Sequence, residues 1–548
     1  MRNWQTTNQI TGERRWWALG AVMISMFFSA LNQTTVTTAM PTVISDLQGF
    51  NLYAWVFTAF TLAVTATMPI YGKLSDVYGR KPFYIFGLVV FLIGSALSGL
   101  AQSMPMLIFA RAVQGIGGGA MMSMPRATVG DIFNPRERGR WMGALMGIYG
   151  IATLIGPGVG GWITDHWGWR WVFYVNMPVA LVALALIIYA LPRVHTGHTY
   201  HLDWVGSILL VTGLLPMLLG FTWAGSTYPW LSLEILGLFT LSFLLLTLFV
   251  LVERRSPEPI INMEIFRNPV FSSTMVIGLF ISMAMFGSMM FLPLFVQGAL
   301  GMKAASSGYV MTPMMLSFIV GSVISGQIMT RTGRYKRVTL LGGLLTAAGA
   351  YLLTGLDASS SWETVVRDMI VMGVGIGLIM PVMATVVQNA FPYRMMGTVN
   401  ATQQTANNIG GAIAAPILGS VVASGFASQL AQRLPAPLVQ VMQSLPEDQQ
   451  QMLADPQGLV STFGQEAIKM KFQAFGPQGM ALYDQFIQAV RDSLAAAMTP
   501  LFWMAVAFAV AAFLASLFLK EIPLRQEEYY REGAPQESKA EPLGSAGE

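Results

Sequence analysis

The sequence predicts an all-α polytopic membrane protein whose 14 transmembrane helices run as six, two inserted, then six. Three observations carry that prediction. Of 548 residues, 54% are hydrophobic and 11% are charged, with a mean hydropathy of +0.55; an ordinary soluble domain carries about 25% charged residues. Apolar runs recur at 17–40, 52–72, 82–102, 105–128, 140–164, 170–191, 204–223, 230–251, 271–298, 306–329, 337–355, 365–388, 400–424 and 498–519. Each is close to the ~20 helical residues that cross a bilayer. Finally, a charged turn occurs twice: Gly72-Lys73-Leu74-Ser75-Asp76-Val77-Tyr78-Gly79-Arg80-Lys81-Pro82, and Gly326-Gln327-Ile328-Met329-Thr330-Arg331-Thr332-Gly333-Arg334-Tyr335-Lys336. Both copies keep a seven-residue step between glycines and end in Gly-Arg.

In chain order, residues 1–15 form a cytoplasmic N-terminal segment. Arg14 and Arg15 before Trp16 and Trp17 supply the basic flank and aromatic belt of a first helix that is retained. The first turn joins the second and third spans. Gly72 and Gly79 permit close backbone approach, and Pro82 fits the first turn of the next helix. Short loops on this side carry sixteen Lys and Arg, from Lys73, Arg80 and Lys81 through Arg126 to Arg394, against Arg170, Lys303 and Arg367 on the other. Orientation follows Lys and Arg in short loops, so the turn and both termini are expected in the cytoplasm of a cell-membrane protein. The repeated turn follows the second and tenth spans, which makes the halves 16–200 and 256–520 with two inserted spans in 201–255. Parallel repeats of this kind face each other across the membrane normal and bind substrate near the midplane. Residues 426–497 are expected as a long external loop, and the Glu-rich 521–548 as a disordered cytoplasmic tail.

The net charge of +4 implies no nucleic-acid partner, and the absence of cysteine excludes disulfides and thiolate metal sites. No nucleophile–base constellation or phosphate-binding loop is present, so neither an enzyme nor an ATP-driven pump is expected, and no cofactor. His195, His198 and His201 read as a solvated loop rather than a metal site.

A charge at the centre of a spanning helix costs about 2.5–3.5 kcal/mol, so each one asks for a reason. Arg111 shares a helical face with Gln114, Gly115, Gly118, Gly119 and Met122. It either snorkels to the outer headgroups or faces a cavity. Asn400, Gln403, Gln404, Asn407 and Asn408 form a polar stripe at steps of three and four, and Asn32, Gln33, Thr34 and Thr35 a shorter one in the first span; both are expected to line the substrate cavity. Gly156, Pro157, Gly160 and Gly161 combine small residues spaced by four with a kink. Methionine and phenylalanine in the ninth span, such as Met283 and Phe286, suit adaptable apolar binding.

The Gly72–Pro82 turn, with Arg111-Ala112-Val113-Gln114-Gly115, Gly156-Pro157-Gly158-Val159-Gly160-Gly161 and Leu31-Asn32-Gln33-Thr34, resembles the major facilitator superfamily, and in particular its fourteen-helix drug:proton antiporters. The resemblance implies a major facilitator fold and export of amphipathic small molecules against protons, by a monomer in the lipid bilayer. It also implies gating by Gly72, Asp76, Gly79, Arg80, Gly333 and Arg334, coupling through Arg111 and Gln114, and a seal between the halves at Gly156–Gly161. Asp76 is expected to pair with Arg80 or to cap a neighbouring helix. One position departs from the pattern: Asn32 stands where such exporters commonly have aspartate. A neutral pocket disfavours strongly cationic drugs, and Asn32→Asp would then broaden the range toward lipophilic cations and steepen pH dependence. Two further readings remain, a membrane sensor or scaffold that does not transport, and an exporter of one metabolite with altered coupling.

Overall fold

The computed structural model describes residues 13–47, 52–133, 135–191, 203–225, 227–257, 259–302, 304–392, 395–434, 469, 472, 473 and 476–523. His195, His198, His201, Arg394 and the tail beyond 523 lie outside the described residues. Among the described residues, fourteen long helices appear: α1 Glu13–Leu47, α2 Tyr53–Tyr78, α3 Arg80–Gly99, α4 Met104–Ile132, α5 Pro135–Trp167, α6 Asn176–Ala190, α7 Trp204–Trp223, α8 Leu233–Glu253, α9 Pro269–Gly298, α10 Ala304–Thr332, α11 Lys336–Leu353, α12 Trp362–Ala390, α13 Met396–Arg433 and α14 Gly476–Leu517. A short turn of helix, Trp171–Tyr174, leads into α6. Twelve of these helices are long and apolar enough to cross a membrane; α4 and α11 are the two outside that set. In α4 the cause is legible, since Arg111, Gln114, Arg126 and a run of glycines replace bulky apolar residues.

Local chemistry sets the helix ends. Ser103 accepts from the Met106 amide at 3.4 Å and Ser361 from Thr364 at 3.4 Å, starting α4 and α12 in the same way. Asp203 and Asn268 cap α7 and α9 by accepting from Gly206 at 2.6 Å and Val270 at 2.9 Å. The two repeated turns bend at Gly79 (φ 89°) and Gly333 (φ 67°), a backbone region that glycine enters without strain.

The repeat extends into the packing. A Cβ on Gly87 of α3 or Gly117 of α4 would strike the facing helix, and the same holds for Gly342 of α11 and Gly375 of α12. Gly115 lies against the Phe60 carbonyl of α2, as Gly373 lies against that of Met314 in α10. Close approach through small residues is how helices associate in lipid, where no hydrophobic force draws them together. The inserted pair is a hairpin, with Ser242 of α8 donating to the Gly213 carbonyl of α7 at 2.7 Å. Its α7 end rests on the first half through a Trp55–Trp223 ring contact at 5.7 Å. The outer face of α8 exposes Leu236, Leu241, Phe243, Leu244 and Leu248, as a lipid-facing surface should.

Two expectations are revised. The helices flanking 426–497 reach far into it, α13 through Arg433 and α14 from Gly476, because Ala, Leu and Gln continue the helical pattern past the apolar core. Arg126 is not a loop residue; it lies within α4, which runs past Pro125 to Ile132.

Candidate functional site

On the face that carries the Gly72–Pro82 turn, the two halves are tied by a carboxylate. Asp76, near the C-terminus of α2, accepts from the amides of Gly397 at 2.7 Å and Thr398 at 2.6 Å and from the Thr398 hydroxyl at 2.8 Å. Those amides belong to the first turn of α13, whose N-cap, Met395, offers no side-chain bond of its own. The unpaired N–H groups and the positive end of the helix dipole therefore find their acceptor on the other half. Arg80 pairs with Asp76 at 2.6 Å and with Asp131, at the end of α4, at 2.8 Å, and donates to the Ser75 hydroxyl at 2.6 Å. Asp76 thus makes both expected contacts at once, with Arg80 and with a helix N-terminus. Asp131 was not among the candidate acids, because one carboxylate at a helix end carries no pattern. Gly72 and Gly397 face each other so closely that a Cβ on either would collide with the other's backbone.

The second turn repeats the shape without the charge. Gly326 of α10 meets Gly139 of α5 backbone to backbone, as Gly72 meets Gly397. Thr330, which stands in the place of Asp76, returns its hydroxyl to the Gly326 carbonyl of its own helix at 2.8 Å. Arg334 is exposed, and its amide bonds Thr332 at 3.2 Å. Thr330→Ala is accordingly expected to leave transport within about twofold of wild type, since surface-type changes of this sort stay within ~0.5 kcal/mol. A loss comparable to that of an Asp76 variant in the same uptake assay would contradict this.

Inside the first half, Arg111 is fully buried and does not snorkel. Its guanidinium donates to Asn32 Oδ1 at 3.0 Å and to Gln114 Oε1, and lies 4.2 Å from the centre of the Phe60 ring. Gln114 donates in turn to Ser95 at 2.6 Å. The expected pair of Arg111 and Gln114 is therefore joined to Asn32 of α1, while one guanidinium nitrogen and the Asn32 amide nitrogen find no partner. Gln33, next in sequence, is half-buried. Two substitutions probe this network. Arg111→Lys removes the planar fork that reaches Asn32 and Gln114 together, and about tenfold slower transport is expected; wild-type rates would show that a point charge suffices. Asn32→Asp places a carboxylate against a guanidinium that lacks one, so the melting temperature should rise by several degrees, a charge-assisted bond contributing ~1.5–3 kcal/mol. An unchanged or lower melting temperature counts against the pairing.

The glycines of α5 divide into two sets. Gly156 and Gly160 pack on Thr34, Thr35 and Thr38 of α1, within the first half, so the expected seal between halves is not made there. Gly161 has nothing within 4 Å of where a Cβ would stand. Pro157, in the same stretch, lies inside the helix and removes one backbone donor. The contact with the second half is made nearer the turn face, by Gly139 and Gly143 against Gly326 and Ser322 of α10 and by Gly150 against Ile319.

The polar stripe of α13 is mostly buried and unevenly satisfied. Asn400 accepts from Gln388 of α12 at 3.0 Å, and Gln388 also donates to the Arg126 carbonyl of α4 at 3.1 Å. Gln404 donates to Asn408 at 3.2 Å, and Asn408 reaches Thr65 of α2 at 3.5 Å. Neither polar atom of Gln403 has a protein partner, nor does the Asn407 carbonyl oxygen. Buried amides left this way bond water or a ligand, which suits a polar space between the halves.

Two six-helix halves related by a parallel repeat, meeting at one end through a charged turn and enclosing buried polar groups, define the architecture of a secondary transporter. The family description "Major Facilitator Superfamily" matches residues 22–415, and the chain belongs to that family. It is 37% identical over 506 residues to the multidrug transporter protein MdtP of Bacillus subtilis (strain 168), covering 92% of each chain. It is 36% identical over 416 residues to multidrug resistance protein 3 of the same organism, covering 75% of this chain and 80% of that one. Among solved structures, the proton:xylose symporter XylE (TM-score 0.57, 12% identity, 92% and 95% covered) and the human organic anion transporter MFSD10 (TM-score 0.58, 13%, 91% and 100%) share the fold.

Proposed function

We propose that this protein exports amphipathic drugs or metabolites from the cytoplasm by proton antiport, as a monomer in the cell membrane with both termini inside. The Asp76 bridge carries the reading: a carboxylate of one half that caps a helix of the other is a contact a transporter makes and breaks once per cycle. Relatives named as a multidrug transporter and, in Fusarium, an efflux pump support export. The excess of Lys and Arg on the turn side supports a cytoplasmic turn. The arrangement then corresponds to an outward-facing state. The bridged face is then the inner one.

The halves 16–200 and 256–520 move as bodies, and the inserted pair 201–255 rides between them. Gln33, Asn400, Gln403, Gln404 and Asn407 are assigned to the substrate cavity, and Gly72, Gly79, Arg80, Gly333 and Arg334 to the gate with Asp76. Coupling is assigned to Arg111 and Gln114. A guanidinium does not release its proton in proteins, so Arg111 acts by changing hydrogen-bond partners while the proton travels elsewhere.

Proteoliposomes test the proposal. A panel of amphipathic dyes should be taken up by inward-oriented protein under an imposed pH gradient, and not under a valinomycin-set potential alone. Dye binding without movement under either force would identify a sensor and end the export reading.

A further inference from the structure

We infer that the space between the halves receives an organic anion, a carboxylate or comparable oxyanion on an apolar body, and that Arg126 is the residue that binds it. This rests on the export reading, of which it names the substrate class. Arg126 is only 9% exposed. Its Nη2 lies 3.9 Å from the Met146 sulfur of α5, and its Nε has no partner. The Gln388 bond to its carbonyl places it where α4 meets the second half. Among the described residues, no carboxylate lies within ion-pair distance of Arg126, and Arg111 on the same helix is equally unpaired. The nearest acid along α4, Asp131, is held by Arg80.

Two buried guanidiniums on one helix with no counter-charge are costly, and the cost is offset when a ligand brings the missing charge. Gln403 of α13, one helical turn from the Asn400 that Gln388 joins to Arg126, is buried with no protein partner and supplies further hydrogen bonds. Met146, Tyr149 and the half-buried Met122 offer apolar surface for the body of the molecule. A cation in the same place would meet an unneutralised like charge, which excludes it.

Three xanthene dyes on one scaffold isolate charge from shape: fluorescein as the anion, rhodamine B as the zwitterion and rhodamine 6G as the cation. Binding to the purified full chain, read by fluorescence polarisation, is expected to favour fluorescein over rhodamine 6G by about tenfold or more. Arg126→Gln should abolish that preference, and Arg126→Lys should retain most of it. Met146→Glu leaves Arg126 in place but sets a carboxylate against it, and should lose fluorescein binding while gaining rhodamine 6G. Equal or tighter binding of rhodamine 6G by the wild type, or unchanged fluorescein binding in both Arg126→Gln and Met146→Glu, overturns the assignment. Vesicle uptake of the bound dye separates the two claims. Fluorescein that binds but does not move sinks export and leaves the anion site standing; rhodamine 6G that moves while fluorescein does not bind sinks the anion site alone.

Discussion

Asp76→Asn is expected to reduce dye export by more than tenfold while membrane abundance stays near normal. In the native chain both carboxylate oxygens accept, one from Gly397 and Arg80, the other from the amide and hydroxyl of Thr398. An asparagine keeps one acceptor and turns an amide group toward donors. Removing one partner of a buried charge-assisted set costs about 2–3 kcal/mol, a roughly 30- to 160-fold shift away from the bridged state. The chain has no cysteine, so reporter cysteines placed on the two halves can be labelled without background. Distances across the turn face should lengthen in the variant. Full export together with an unchanged distance distribution would remove the gate from Asp76.

Gly397→Ala should abolish the bridged state by a different route. The added methyl would meet the Gly72 carbonyl, Asp76 and Arg80 at once, and a backbone carbonyl cannot yield as a side-chain tip can. Overpacking of this kind costs ~1–3 kcal/mol, here concentrated on one conformation. Export is expected to fall about tenfold, with thermal stability in detergent little changed because the open state accommodates the methyl. Gly158→Ala, where nothing lies within 4 Å, should behave as wild type. Matching export rates for the two alanine variants would mean that the halves do not approach this closely during transport.

Much of this was legible in the sequence. The fourteen spans and the repeated turn followed from apolar length and from glycine spacing, both of which are local. Arg111 was legible as a buried charge because mid-helix charges are rare; its bond to Asn32, 79 positions away, was not. The partner of Asp76 was hidden for the same reason, since α13 starts without a capping side chain and nothing local announces that its amides are satisfied from 321 residues upstream. Arg126 was counted with the loop charges although the apolar run 105–128 contains it; in α4 the helix passes through Pro125 to Ile132.

On the face opposite the Gly72–Pro82 turn, Asp46 accepts from the Trp169 indole at 2.9 Å and pairs with Arg170 at 2.8 Å, and these contacts hold its carboxyl below the usual aspartate range. What that contact stabilises is present above the ordinary aspartate pKa and is lost only as pH falls through the lowered one. Asp46→Asn should therefore make the melting temperature less sensitive to acid, and a steeper acid dependence would contradict it.

The two turns are alike in backbone and unlike in charge, and this difference assigns them separate mechanical parts. At Gly326 and Gly139 the place of Asp76 is taken by Thr330, which bonds its own helix, so sliding there uncovers no carboxylate capping a helix of the other half. At Gly72 and Gly397 any separation uncovers Asp76, Arg80 and a helix terminus together. In the proposed cycle the first contact would serve as a hinge and the second as a latch. The inner mouth should therefore open lopsidedly, swinging wide between α2 and α13 while α5 and α10 pivot in place.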